Sequence, residues 1–217
     1  MHNPDRYQSA RHKPLQTRGK ERVRVILAAA LSVFKESGVE GATTNEIAAR
    51  AGIPIGSLYR YYPDKASIIV VLTDLYVEDI TAHFKETVSH PLSLHYSWNE
   101  LLFVMIDSWV NYSRISGSFA FMYAIRANPY LRALTKPAWM RLRKGFGDAL
   151  KKRCPDLTDR EITVCLQMAI AASELGITTD YEDDVGADLH HEAIEAIAAY
   201  LRHICSFHSH SDPVIAQ

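Results

Sequence analysis

TTNEIAARAGIPIGSLYRYYPDK, residues 43–65, carries the signals of two short helices packed around a tight turn. Thr43 and Glu46 stand at capping-box spacing: the threonine oxygen accepts from the backbone at Glu46, and the carboxylate reaches back to the threonine amide. Ile47, Ala48 and Ala51 then lay one apolar face along a first helix. Gly52 stands where the chain turns, in a left-handed conformation that costs glycine little. Ile53 anchors the turn from inside. Pro54 suits the opening turn of a second helix, where its missing N–H is not needed. Leu58 and Tyr61, or Tyr62 in its place, face inward from that helix. Ile55, Gly56, Ser57, Tyr59 and Arg60 remain outward or at the edge. Tyr62 precedes Pro63, and a residue before proline avoids helical geometry. Asp64 caps the next helix, with Lys65 in its first turn. The helix dipole disfavours a cation there unless it faces a phosphate.

A helix pair of this kind is how a small domain presents its second helix to the major groove of DNA. The candidate DNA contacts are Thr43, Thr44, Ile55, Gly56, Ser57, Tyr59, Arg60, Tyr61 and Lys65. Arg60 and Lys65 are cations for phosphate. Ser57, Tyr59 and Tyr61 position the helix on the backbone, and Ile55, Gly56 and Tyr59 are the candidates for the groove. An ordinary helical hairpin also carries Ala, Gly and Leu at such spacings. Here the capping box, the turn glycine, the Ser57-Leu58-Tyr59 run and the lysine after proline occur together and in order.

In these residues the chain resembles the DNA-binding domain of the TetR (tetracycline-repressor-like) family, over about residues 20–70. Beyond that the likeness is one of length and helical character. The resemblance implies a repressor that binds palindromic double-stranded operator DNA as a homodimer. It also implies a small lipophilic or aromatic effector held in a C-terminal domain, whose entry tilts the helix after Asp64 and releases the DNA. One position departs from the pattern. Many members carry a polar or basic residue where this chain has Ile55, which favours apolar contact, for instance with a thymine methyl, over a guanine contact.

The 217 residues are 47% hydrophobic and 23% charged, an ordinary globular composition. No apolar run approaches the roughly 18 residues of a membrane span. Val25–Phe34 is apolar behind Arg22 and Arg24, but it continues into Lys35-Glu36 with no cleavage site, so no secretory leader is expected. Cys154, Cys165 and Cys205 are odd in number and fit reduced thiols in a cytoplasm. The net charge of -1 is unevenly spread. Residues 1–24 hold seven Lys/Arg against two acids, whereas the rest holds 17 against 23. A basic arm on an acidic body is an electrostatic footprint for phosphate, or else a solvated leader.

Periodicity predicts an all-α chain in three parts: a disordered arm over 1–16, a helix-turn-helix domain over 17–66 and a larger helical body over 67–217, which the resemblance makes an effector-binding and dimerisation domain. Val23, Ile26, Leu27, Ala30, Leu31 and Phe34 mark a supporting first helix closed by Gly38. Phe34, Ile47, Ile53, Leu58 and Tyr61 form the expected small core. Further helices are expected over 64–88, 97–115, 119–127, 130–153 (bent or interrupted near Pro137), from 156–159 to 175–177, and over 187–206. An acidic loop covers 179–186.

The region 98–140 is rich in large flat and flexible side chains. Two readings fit: they fill a bundle core, or they enclose an apolar cavity. The resemblance favours the cavity, with Phe103, Asp107, Trp109, Tyr112, Phe121, Met122, Trp139, Gln167 and Glu174 as candidate lining. Gln167 and Glu174 share a helix face, and a buried unpaired carboxylate is costly. Glu174 is therefore exposed, paired, or the polar end of a site for a cationic or donor ligand, with Asp107 or Tyr112 opposite. Ala169, Ala172, Leu189, Ala193, Ile197, Tyr200 and Ile204 offer more apolar surface than one side of a surface helix needs. They form a dimer interface or pack within one chain.

No nucleophile motif, phosphate-binding glycine loop or HExxH stretch is present, and no cofactor or metal is expected. His190-His191 diverge on a helix. His203, Cys205, His208 and His210 read as a solvated tail rather than a metal site. Two other classes remain: a DNA-binding protein without an effector, controlled by a protein partner, and a helical enzyme.

Overall fold

The computed structural model describes residues 14–116, 118–178 and 184–210, apart from the side chains of 14–18, 94, 114–116, 119, 120, 174–178, 184–188 and 208–210. Most of the arm expected over 1–16 and most of the acidic loop lie outside these residues. Among the described residues nine α-helices and one 3₁₀ turn form the fold, without strands. The helices are α1 (Pro14–Gly41), α2 (Thr44–Arg50), α3 (Ile55–Tyr59), α4 (Lys65–Ser89), α5 (Trp98–Ser116), α6 (Phe119–Ala127), α7 (Pro129–Lys151), α8 (Asp159–Thr178) and α9 (Asp184–His210). The 3₁₀ turn, Pro91–His95, was not expected from periodicity. The chain divides into two compact units, Met1–Ile69 and Val70–Gln217, and passes from one to the other inside α4.

The first unit is built on α1. Its buried Ile26, Leu27, Ala30, Val33 and Phe34 recur at helical spacing. Gly38 breaks the helix with a left-handed φ of 67°. The capping box at Thr43 is complete: Glu46 N–H donates to Thr43 Oγ1 at 3.2 Å, and Thr43 N–H donates to Glu46 Oε2 at 2.8 Å. α2 ends in a Schellman motif, in which Ile53 N–H donates to Ala48 O and Gly52 N–H to Ala49 O, both at 3.0 Å. Gly52 has φ 62°, and the motif needs that left-handed turn. Arg50 forks onto both Glu36 carboxylate oxygens at 2.6 Å and so ties α2 to α1. That guanidinium, with Ser32 behind it, holds the Glu36 carboxyl down at about 2. α3 is only five residues long, and Pro54 is its N-cap rather than its first helical residue. The inward tyrosine is Tyr62, 5% exposed, and burial pushes its phenol up. Tyr61, expected in the core, is 39% exposed.

The second unit packs α5, α8 and α9 against one another, with α6 and α7 alongside. Phe84 meets Trp109 and Phe146 edge-on, with centroids 6.0 and 5.6 Å away. α7 runs uninterrupted through Pro137. Its Gly145 lets α4 come close, because a Cβ there would overlap Thr81 Cγ2. α9 begins before the expected position and is fixed to α8 by buried His190, whose Nδ1 lies 2.9 Å from Ala172 O. Buried Cys154 and Cys165 and half-buried Cys205 sit close enough to raise the Cys205 thiol, beyond the effect of burial itself. No helix of the described residues is long and apolar enough to cross a membrane.

Candidate functional site

The face that α3 leaves to solvent follows from the shortness of the helix. With Leu58 buried and Tyr62 taking the second inward place, Gly56, Tyr59, Arg60 and Tyr61 are exposed, and Ile55 and Ser57 lie at the edge. Tyr59 is 48% exposed, and its hydroxyl is 3.1 Å from that of Thr44. This bond ties the end of α3 to the start of α2 and draws Thr44 into the same surface. Thr43 spends its hydroxyl proton on Glu46 Oε2, 2.8 Å away. A Cβ added to Gly56 would meet nothing within 4 Å, so the fold does not require glycine there. Arg60 forms no ion pair among the described residues.

Lys65 corrects the sequence reading. Its ammonium does not stand free for phosphate: it donates to Val39 O at 2.5 Å, Ala42 O at 2.9 Å and Glu40 O at 3.3 Å. These carbonyls lie in the short turn that follows the Gly38 break, where backbone acceptors are left for a side-chain donor. The cation that looked misplaced at the start of α4 is well placed against these acceptors.

Within the second unit lies a cavity of about 570 Å³, in the size range of small-molecule sites. Tyr76 comes from α4, Trp109 and Ser113 from α5, and Met122, Tyr123, Ile125 and Arg126 from α6. Arg132, Lys136, Trp139, Met140 and Arg143 come from α7, and Thr163, Leu166, Gln167, Ile170 and Ser173 from α8. Buried Tyr76 is a hydrogen-bonding hub. The Trp109 indole donates to its oxygen, and Ser113 Oγ lies 2.8 Å from it. Burial raises the Tyr76 phenol to about 12.

Of the nine expected lining residues, Trp109, Met122, Trp139 and Gln167 meet here. Phe103 does not: it is 44% exposed and borders a separate groove with Val104 and Ile194. Asp107 accepts from Asn111 at 2.9 Å, and Tyr112 donates to Asp79 at 2.6 Å, so neither faces Gln167 across the cavity. Phe121 is buried against the Tyr76 ring, 6.1 Å away, behind the cavity wall. The Glu174 side chain lies outside the described residues. The sequence reading missed the cations Arg126, Arg132, Lys136 and Arg143. The signal was present: Arg132, Lys136, Trp139 and Arg143 are spaced four, three and four apart, one face of α7.

The expected dimer residues separate into two sets. Ala169, Ala172, Ile197 and Ile204 are buried inside the single chain and are withdrawn from the interface, because α5, α8 and α9 consume that face. Leu189, Ala193 and Tyr200 stay at least partly exposed. They lie in a stripe with Ala196, His203 and Phe207 at spacings of four, three, four, three and four. Beside it on α8, Val164 and Ala171 are exposed and Met168 is half-buried. In the tail, His203 is exposed and Cys205 half-buried, whereas the side chains of His208 and His210 lie outside the described residues.

Comparison with known proteins agrees with this geometry. Residues 26–72 match the family model for bacterial regulatory proteins, tetR family. A 51-residue stretch is 39% identical to the HTH-type transcriptional repressor KstR of Rhodococcus jostii (strain RHA1); it covers 24% of this chain and 24% of the relative, about a quarter of each. Among solved structures, a tetR-family transcriptional regulator from Streptomyces coelicolor superposes with a TM-score of 0.68 at 17% identity, over 87% of this chain and 83% of that one. The transcriptional regulator FadR of Bacillus subtilis, solved in complex with stearoyl-CoA, gives 0.59 at 19% identity, over 82% and 96%. These likenesses carry the all-α fold through the second unit as well as the first.

Proposed function

We propose that this chain, a member of the TetR family of bacterial regulators, is a repressor that binds palindromic operator DNA as a homodimer and is released by a small lipophilic effector. The observation that carries the reading is the outward face of α3. It is held rigidly from behind by the Schellman turn and the Lys65 staple, yet it presents an unopposed glycine, two exposed tyrosines and an uncompensated arginine. No requirement of folding accounts for that combination. Arg60 attracts phosphate, while Thr44, Ser57, Tyr59 and Tyr61 set the register on the backbone. Ile55 and Gly56 approach the base edges, where they offer shape and apolar contact rather than hydrogen bonds. Thr43 serves as the cap, and Lys65 holds α1 to α4.

The stripe Leu189–Ala193–Ala196–Tyr200–Phe207, flanked by Val164 and Met168, supports a two-fold interface of paired α8 and α9 helices. The effector enters the cavity beneath Trp109 and Trp139. The FadR relative solved with stearoyl-CoA supports a ligand with a long apolar part. By displacing Tyr76 the ligand acts on α4, the helix that also carries Lys65. The domain division and the DNA role of the arm are parts of the same proposal, as is a cytoplasmic site of action. Selection of bound fragments from a random duplex library with the full chain tests it. An enriched inverted repeat supports the reading, and recovery of unenriched sequence contradicts it.

A further inference from the structure

We propose that the cavity of the second unit takes an anionic amphiphile, its apolar body against Trp109, Trp139 and Met122 and its charged head held by Arg132 and Lys136. The inference rests on the effector reading of this cavity and fixes the sign of the ligand's charge, which the sequence had suggested to be the opposite. Four cations line the cavity, and no carboxylate lines it among the described residues. Arg143 is partly compensated by Asp159, 3.4 Å away. Arg132 and Lys136 form no ion pair within 4.0 Å among the described residues, although one helical turn places them side by side. Two other α7 cations are paired: Arg141 with Asp74 at 2.5 Å and Lys144 with Asp148 at 2.6 Å. Lys151, at the far end of the helix, also lacks an ion pair among the described residues, so beside the cavity the uncompensated charge of α7 is that of Arg132 and Lys136.

On the opposite wall two hydroxyls are already engaged, while the Gln167 amide stays available as a further, uncharged partner. Thr163 donates to Asp159 O at 2.7 Å and Ser173 to Ile170 O at 2.7 Å. The Trp139 indole is likewise occupied, on Thr135 Oγ1 at 3.2 Å. Two adjacent cations beside an aromatic wall suit a carboxylate or a phosphate on a long chain, and they repel an ammonium.

Calorimetric titration of the full chain, without DNA, with dodecanoate, dodecyl phosphate, dodecanol and dodecyltrimethylammonium below their micellar concentrations tests the inference. The anions are expected to bind at least about tenfold tighter than the alcohol and the cation. The double variant Arg132→Gln/Lys136→Gln should lose that margin, and Lys136→Arg should keep it. If the double variant fails the circular-dichroism check of folding, each single variant is read in its place. A preference for dodecyl phosphate over dodecanoate identifies a phosphorylated head, and the reverse a carboxylate. Equal binding of all four probes, a preference for the cation, or an unchanged margin in the variants overturns the charge inference while leaving an effector cavity. Binding of none of the four overturns the effector reading itself.

Discussion

Gly56 separates folding from recognition at a single atom. It is helical, exposed and unopposed, so Gly56→Ala should leave thermal stability unchanged or raise it by up to ~1 kcal/mol through helix propensity. The same methyl stands where the backbone would approach DNA, so affinity for the selected duplex should fall. A stable variant with unchanged affinity would remove α3 from the groove. Arg60 and Lys65 form a second contrast. Arg60→Gln should lower the salt dependence of binding by about one unit in the log–log slope without affecting stability. Lys65→Met should leave that slope nearly intact and cost on the order of 1–3 kcal/mol in urea unfolding, because it strips donors from the carbonyls at the end of α1. The role of Lys65 was illegible because its partners, the carbonyls of residues 39–42, lie far back in the chain, and a rule about the lysine's own helix cannot see them. Tyr61 and Tyr62 were indistinguishable for a related reason: α3 stops at Tyr59, and the turn beyond it decides which ring enters the core.

The elements most legible in sequence were those with local causes. The capping box at Thr43 and the left-handed Gly52 depend on neighbours within five residues, and both are present as read. Gly52→Ala should cost roughly 1–2 kcal/mol, because any Cβ is strained at positive φ whatever space surrounds it; urea unfolding measures this directly. Features with distant causes were not legible. Pro137 was expected to bend or interrupt α7, yet the helix continues through it under the hold of its buried residues on both sides. The link between α2 and α1 was also invisible, since Arg50 and Glu36 are fourteen residues apart. That link carries a pH dependence. The Glu36 carboxyl sits at about 2 in the folded chain, below its ordinary 4.5. The stabilisation is therefore complete above about pH 4.5 and is lost as pH falls toward about 2. Between about pH 5 and 2.5 the wild type should lose more stability than Arg50→Met. Parallel losses would show that the exposed pair contributes nothing, a common outcome for surface ion pairs.

At the scale of the whole molecule, periodicity foretold the helical class, and the run of charges along the chain its basic arm, but neither pointed to the positive groups around the cavity. The -1 net charge conceals a cluster of cations around the cavity of an otherwise acidic unit: Arg132, Lys136 and Arg143 share one face of α7, and the packing of α6 on α7 adds Arg126. The proposed dimer face stands out in sequence as an excess of apolar positions. Which of them point outward was not legible there, because the inward set is defined by packing against α5. Ala196→Glu introduces a charge at the centre of the remaining stripe. Sedimentation should find the wild type dimeric at micromolar concentration and the variant monomeric; a monomeric wild type would remove the two-fold interface. The most direct test of the account is hydroxyl-radical footprinting of the full chain on the duplex recovered by selection. Two protected patches on one face of the DNA, centred about one helical turn or ~34 Å apart and both lost in Ala196→Glu, are predicted. A single patch, or protection indifferent to that substitution, would contradict the dimeric operator-binding reading.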